Sequence, residues 1–271
     1  PCAHILKQMM QSHPNKLPTP PRAGLQRLVD LREILRYVPQ YRDKAFVIAF
    51  DGAIVEHDNF RNLLLDLALL RSLRIGVTLV HGAGYQVRKL AEQTGLTPSN
   101  VDGTGITDDA TLQLALNAAN RVTHEILEGL AATDLRGAYS NAVVAHPAGI
   151  LQGVDHRHTG RVERVDVPLL RALLENDILP VIPPLGSDGE GATYRLNSDH
   201  VAVEIARSLD AVKLIFLTTI PGIVHQRDGL IRQLTVDEAD LLLRKNRADL
   251  VGPSLRSEER RVGKECRSRW S

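Results

Sequence analysis

The chain has 271 residues, 43% apolar and 24% charged, with 33 Lys and Arg against 32 Asp and Glu for a formal charge of +1. That length holds one large α/β domain or two ordinary ones, and no apolar run approaches the roughly 20 residues that span a bilayer, so no membrane and no nucleic-acid partner is expected. Cys2 and Cys266 give neither a disulfide framework nor zinc-ligand spacing, which predicts a reducing, cytoplasmic setting and no metal site.

Residues 1 to about 22 are polar and hold Pro14, Pro18, Pro20 and Pro21, the composition of a mobile arm. Leu25, Leu28, Val29, Leu31, Ile34 and Leu35 follow helical spacing up to about Tyr37, and Pro39 is expected to close that helix. Its stripe either packs on its own domain or faces a partner subunit. Ala45–Phe50 is wholly apolar and reads as the first central strand of a parallel sheet. Asp51, Gly52 and Ala53 make a tight turn, and Asn59–Leu73 is strongly helical. Val77–His81 is a second buried strand, ending in Gly82, Ala83 and Gly84 before a helix with Val87, Leu90 and Ala91 on one face. Two readings of that glycine turn stand: it cradles an anion at a helix N-terminus, or its glycines only permit tight packing.

Thr94–Gly105 is polar and glycine-containing, a hinge or lid. Thr107 to Leu130 reads as one long helix capped by Thr107. A short strand at 142–145 and a hairpin-like stretch at 153–165 follow, and Pro168 opens a short helix at its first turn. Ile178–Ile182 is another buried strand, ending in Pro183, Pro184, Leu185 and Gly186. A turn at 188–191 precedes Thr193–Leu196, and a helix over Asp199–Ser208 leads to the strand Val212–Leu217. Pro221 and Gly222 mark a turn, a hairpin falls near Gly229, and a helix starts at about Val236. Strand–helix alternation over 45–241 predicts one continuous α/β unit with parallel pairing. Ligands of such a sheet sit at the carboxyl ends of its strands: here Asp51 and Gly52, His81 to Gly84, Pro183 to Leu185, and Thr218 and Thr219.

The last sixteen residues, Arg256–Ser271, carry six Lys or Arg, three acids, the single Trp and a Cys. They resemble the conceptual translation of a sequencing-adapter oligonucleotide and are expected to lie outside the fold. A solvated basic tail is the plainer alternative.

Taken in order from about Tyr37 to Leu241, the motifs resemble the amino-acid kinase family, and within it the arginine-pathway branch of N-acetylglutamate kinases and the kinase-like half of N-acetylglutamate synthases. His81-Gly82-Ala83-Gly84-Tyr85-Gln86 matches that family's His-Gly-Gly-Gly-Pro-Gln turn. Gly105-Ile106-Thr107-Asp108 matches its Arg-Val-Thr-Asp, and Tyr194 to Asp199 its Tyr-Asn-x-Asn-Ala-Asp. Lys213 to Thr219 matches its Lys-Leu-Ile-x-Leu-Thr-Asp strand. The resemblance implies a three-layer αβα sandwich with a mostly parallel central sheet, preceded by an N-terminal helix. It implies a kinase-like pocket built from Asp51, Gly52, His81, Gly82, Ala83, Gly84, Gln86, Gly105, Asn197 and Thr218.

The departures bear on activity. The family's first-strand lysine is Ala49, its paired glycines are Asp51 and Gly52, and its substrate-gripping arginine is Gly105. Phosphoryl transfer needs cations and N–H donors around the migrating group, and a carboxylate at Asp51 opposes phosphate. Asp199 and Lys213 remain, with plainer readings as a helix cap and a strand-start surface charge. The resemblance thus implies a kinase-disabled pocket in which Ala49, Asp199 and Lys213 are vestigial positions.

Gly153 to Val162 resembles the synthase stretch Gly-Val-Asp-x-x-His-Thr-Gly-x-Val. The implied protein moves acetyl from acetyl-CoA to L-glutamate through a separate C-terminal domain, and nothing within 1–255 resembles an acetyl-CoA loop, so no catalytic residue and no cofactor is expected in this chain. The expected layout is an arm (1–22), a C-terminally truncated kinase-like domain (23–255), the adapter-like tail (256–271) and an acetyltransferase domain not included. Arginine is the implied effector, with Tyr37 as an arginine-lining candidate, and a dimer or hexamer through the N-terminal helix is the implied assembly. Two other readings remain: an N-acetylglutamate kinase using ATP, and a non-catalytic amino-acid sensor.

Overall fold

The computed structural model describes residues 38–219, 223–225, 229–231, 233–246 and 250–251. By its contacts the chain divides into residues 1–41 and 42–271. Of the first unit, residues 38–41 are helical, so Pro39 lies within a helical turn and does not close one; its fixed φ suits that conformation. The arm, the helix expected over 25–37 with Tyr37, the turn at 221–222 and the adapter-like tail lie outside the described residues.

The second unit opens on β1 (Ala45–Phe50), five of whose six residues are buried. A short 3-10 turn (Gly52–Glu56) follows, capped by the Asp51 side chain, which accepts from the Ala53 N–H at 3.1 Å. Then come α1 (Phe60–Ser72), β2 (Gly76–His81), α2 (Gly84–Thr94), α3 (Asp109–Ala132) and β3 (Arg136–Tyr139). Next are β4 (Val143–Pro147), the small hairpin β5 (Ile150–Leu151) and β6 (Val154–Asp155), β7 (Gly160–Val165) and α4 (Val167–Glu175). They are followed by β8 (Ile178–Ile182), β9 (Leu185–Ser187), β10 (Thr193–Arg195), α5 (Ser198–Ser208) and β11 (Lys213–Leu217). The described residues end with β12 (Val224–His225), β13 (Gly229–Leu230), α6 (Val236–Asn246) and β14 (Leu250–Val251).

The central sheet has the order β11-β1-β2-β8-β3, and all four pairings are parallel. Strand alternation divides its residues between two helical layers. Val47, Ala49, Val80 and Ile182 pack with Leu170 of α4 and Val201 and Ile205 of α5. On the opposite face His81 of β2 meets Thr123 of α3, and Gly129 of α3 lies against Leu64 of α1. The result is the expected three-layer sandwich. A second sheet, β10-β9-β4-β7, stands beside it. Leu185 and Gly186, expected as a post-strand turn, belong to that sheet as β9.

Two helix starts differ from expectation. The cap of α3 is Asp108, whose Oδ1 accepts from the Thr111 N–H at 2.8 Å. Thr107 is fully buried, and its hydroxyl bonds Thr159 at 2.7 Å instead. The cap of α5 is Asn197, which accepts from the N–H groups of Asp199 and His200, so Asp199 is not the cap.

Candidate functional site

A cavity of about 340 Å³ opens at the carboxyl ends of the central strands, where the twisted parallel sheet places ligands. Ala49, Phe50 and Asp51 at the end of β1 form one wall, and Gly82, Ala83 and Gly84 entering α2 form the next. Val101 and Asp102 come from the 95–108 connection, Arg195 to Asp199 from the β10–α5 junction, and Phe216 to Thr219 from the end of β11. Of the expected pocket residues, the structure brings together Ala49, Asp51, Gly82, Ala83, Gly84, Asn197, Asp199 and Thr218.

The others stand elsewhere. Gly52 lies just behind the wall, its carbonyl accepting from the Gln86 Nε2 at 2.8 Å, so Gln86 braces the turn and does not line the cavity. A side chain at Gly52 would put its Cβ 2.8 Å from the Gly82 carbonyl, which is why only glycine fits. His81 points away, fully buried between the Gly82 carbonyl (3.0 Å from Nδ1) and the Thr123 hydroxyl (2.9 Å from Nε2). Gly105 lies outside the lining, its carbonyl bound by the Thr159 hydroxyl. Lys213 begins β11 opposite Phe46, at the far end of the strand from the cavity, and is exposed.

The glycine turn supports the packing reading. The N–H of Gly82 is spent on the Phe50 carbonyl at 2.8 Å, and a Cβ on Gly84 would approach the Val101 carbonyl to 3.0 Å.

Electrostatically the wall is acidic. Burial pushes the Asp199 carboxyl above the usual carboxylate range; His200 pulls it back, and the charges of Asp51 and Asp102 push it further up. Neither Arg195 nor Asp102 is expected in the site from the sequence: Arg195 falls inside the Tyr194–Asp199 motif, where the family has asparagine, but the resemblance gives it no role, and Asp102 belongs to no motif. Arg195 is 4% exposed, and desolvation lowers its pKa to about 10, with Asp102 acting the other way. Its guanidinium donates to the carbonyl of Asn100 at 2.8 Å and to that of Val101. The available signal was a charged residue inside a three-residue strand; Asp102 gave none, because only tertiary contact carries its loop to the cavity.

These residues do not fit a nucleotide's phosphates. The lining has three carboxylates and no lysine, and its one arginine is committed to backbone carbonyls. Among the described residues no group of three or more His, Cys, Asp or Glu is placed to hold a metal.

A parallel sheet covered by helices on both faces, with its cavity at the strand ends, defines an α/β protein of the ligand-binding kind. The family model for the amino acid kinase family matches residues 44–250, and the chain belongs to that family. Within it, the chain is 35% identical over 240 residues to an amino-acid acetyltransferase of Ralstonia nicotianae, an alignment covering 85% of this chain and 53% of that protein. An amino-acid acetyltransferase of Pseudomonas fluorescens is 37% identical, over 75% of this chain and 49% of its own. Among solved structures, N-acetylglutamate synthase from Neisseria gonorrhoeae complexed with coenzyme A and N-acetyl-glutamate matches with a TM-score of 0.73 and 30% identity, covering 80% of this chain and 51% of that one. The same enzyme has been solved with coenzyme A and L-arginine. The chain spans about half the length of the curated relatives it matches.

Proposed function

We propose that this chain is the kinase-like regulatory half of an N-acetylglutamate synthase of arginine biosynthesis, and that it transfers no phosphoryl group itself. The acetyl-CoA site and the acetyl transfer to L-glutamate belong to the half that the relatives possess and this chain does not align with. L-arginine is the proposed effector, a homo-oligomer the proposed assembly and the cytoplasm the proposed compartment. Among the described residues no helix is long and apolar enough to cross a membrane.

The observation that carries the reading is the cavity wall. Ala49, Asp51 and Asp199 stand together with no lysine among the lining residues. Like charge at Asp51, Asp102 and Asp199 repels a triphosphate where phosphoryl transfer needs positive charge. The relatives named as acetyltransferases supply the activity that the cavity lacks.

The test is made on a protein that carries this chain together with the part of its relatives that lies outside the alignment. Acetyl transfer from acetyl-CoA to glutamate, inhibited or activated by arginine and accompanied by no ATP consumption with N-acetylglutamate, is the expected result. ATP turnover above background would overturn the kinase-disabled reading, and absence of acetyl transfer would overturn the synthase reading. A protein with neither activity that binds arginine in calorimetry would be a sensor only.

A further inference from the structure

We infer that the cavity at the strand ends binds a small organic dication, an aliphatic diamine or polyamine. This deepens the reading of the cavity as one that refuses phosphates and rests on it, but it needs no acetyltransferase. A volume of about 340 Å³ lies within the span of small-molecule sites, roughly 300–1,000 Å³. Much of the lining is apolar: Ala49 and Val87 are buried, and Val101, Leu196 and Phe216 extend the same surface. Such walls suit a methylene chain.

The charges come from three separate elements. Asp51 follows β1, Asp102 lies in the 95–108 connection, and Asp199 is in the first turn of α5. Three carboxylates less the one guanidinium of Arg195 leave the lining at a net −2. None of the three carboxylates is in an ion pair among the described residues. Asp51 uses Oδ1 on the Ala53 N–H at 3.1 Å, and Asp102 uses Oδ1 on the Thr104 N–H at 3.1 Å and hydroxyl at 2.6 Å. The Oδ2 atoms of both have no hydrogen-bond partner among the described residues. Asp199 is mostly desolvated and feels the like charges of Asp51 and Asp102. A cation placed among the three removes that repulsion.

Two simpler occupants do not suit the cavity. Among the described residues no three carboxylates are placed to share a metal ion, so the occupant has to span them. L-arginine and other amino acids bring a carboxylate of their own, and the one cation of the lining, Arg195, is committed to the Asn100 and Val101 carbonyls. A diamine offers two ammonium groups, a methylene body and no anionic group, and its charge cancels that of the lining. Asp51 and Asp102 are exposed, so the ammonium groups keep part of their water and the desolvation cost stays small.

Calorimetry on the full chain tests this, with putrescine and spermidine as probes. Saturable one-site binding that weakens with added salt is expected, the tighter of the two probes showing which chain length the cavity takes. Butylamine, with one ammonium group, should bind about tenfold more weakly or worse, and succinate not at all. Asp199→Asn and Asp51→Asn should each weaken the tighter probe by about tenfold or more. Asp66→Asn, at an exposed position of α1 outside the lining, should leave it unchanged. Asp199→Asn only relieves repulsion and Asp51→Asn keeps a capping residue, so both are expected to fold; should one fail, the other decides. Absence of saturable binding, binding that ignores the cavity variants, or equal loss from Asp66→Asn overturns the proposal. Displacement of the amine by L-arginine overturns the ligand class. ATP binding overturns the phosphate-refusing reading beneath it, whereas a chain that takes neither ATP nor amine overturns this inference alone.

Discussion

Asp199 concentrates the electrostatic cost of the cavity in one side chain. It is mostly desolvated and shares the wall with Asp51 and Asp102, so its folded-state pKa is raised. A carboxyl raised on folding contributes stability below its unfolded pKa and loses it as pH rises through the folded value. Asp199→Asn, which mimics the protonated form at every pH, should therefore raise the urea midpoint at pH 7 and leave it nearly unchanged at acid pH. A midpoint that falls at pH 7 would mean that the carboxylate is held by a partner stronger than the repulsion it feels. The same wall predicts a gain of function. Ala49→Lys with Asp51→Gly replaces one carboxylate by a cation at adjoining wall positions, and calorimetry should show ATP affinity rise over a parent that binds none measurably. If the double variant binds no better, charge is not what excludes the nucleotide. At this scale the sequence was informative where a motif carried the residue, as at Ala49, Asp51, Asn197 and Asp199. It gave Arg195 no role although the motif contains it, was silent on Asp102, and set His81 and Gln86 in the pocket, though His81 turns inward to Thr123 and Gln86 to the Gly52 carbonyl.

The N-terminus of α3 shows why elements are easier to find than to bound. Thr107 and Asp108 are both good capping residues and stand side by side, so spacing alone cannot choose between them. Tertiary contact does: Thr159 and Asn100 claim the Thr107 hydroxyl, and Asp108 is left to accept from Thr111. Asp108→Ala should then cost about 1 kcal/mol in urea denaturation, and Asp108→Asn, an equally good cap, close to nothing. Equal losses from both would point to the carboxylate's charge as the source of stability. The same logic holds across the fold. Fully apolar runs such as Ala45–Phe50 and Ile178–Ile182 announce buried parallel strands, and α1 and α3 announce themselves by period. The sheet β10-β9-β4-β7 does not, because β9 and β10 are three residues each, too short for alternation to register.

On the scale of the whole molecule, the layers are joined by polar groups that the apolar pattern does not reveal, and His81 is one of them. It ends β2 in the sheet layer and reaches Thr123 on α3 in the helical layer, wholly out of water. The Gly82 carbonyl can only accept, which assigns the proton to Nδ1 and leaves Nε2 facing the Thr123 hydroxyl. That hydroxyl has a single hydrogen, which can go to Nε2 or to the Ala119 carbonyl 2.9 Å away; directed at Nε2 it leaves both nitrogens of a neutral imidazole hydrogen-bonded. Burial holds the ring pKa at about 4, against a small upward pull from the Gly82 bond. The unfolded chain binds a proton near 6.5 and the folded one does not until about 4, so stability is full above pH 6.5 and drains away as pH falls toward 4. The gap amounts to about 3 kcal/mol, with a slope near 1.4 kcal/mol per pH unit between those values. Asp199 runs in the opposite direction, which is why the comparison must be between slopes and not single midpoints. Urea denaturation at pH 7, 5.5 and 4.5 should show a fall in stability that His81→Gln flattens, whatever the substitution does to stability at pH 7. If the variant keeps the parent's slope, the acid-side loss originates in other groups and the joint between sheet and helix is not its source.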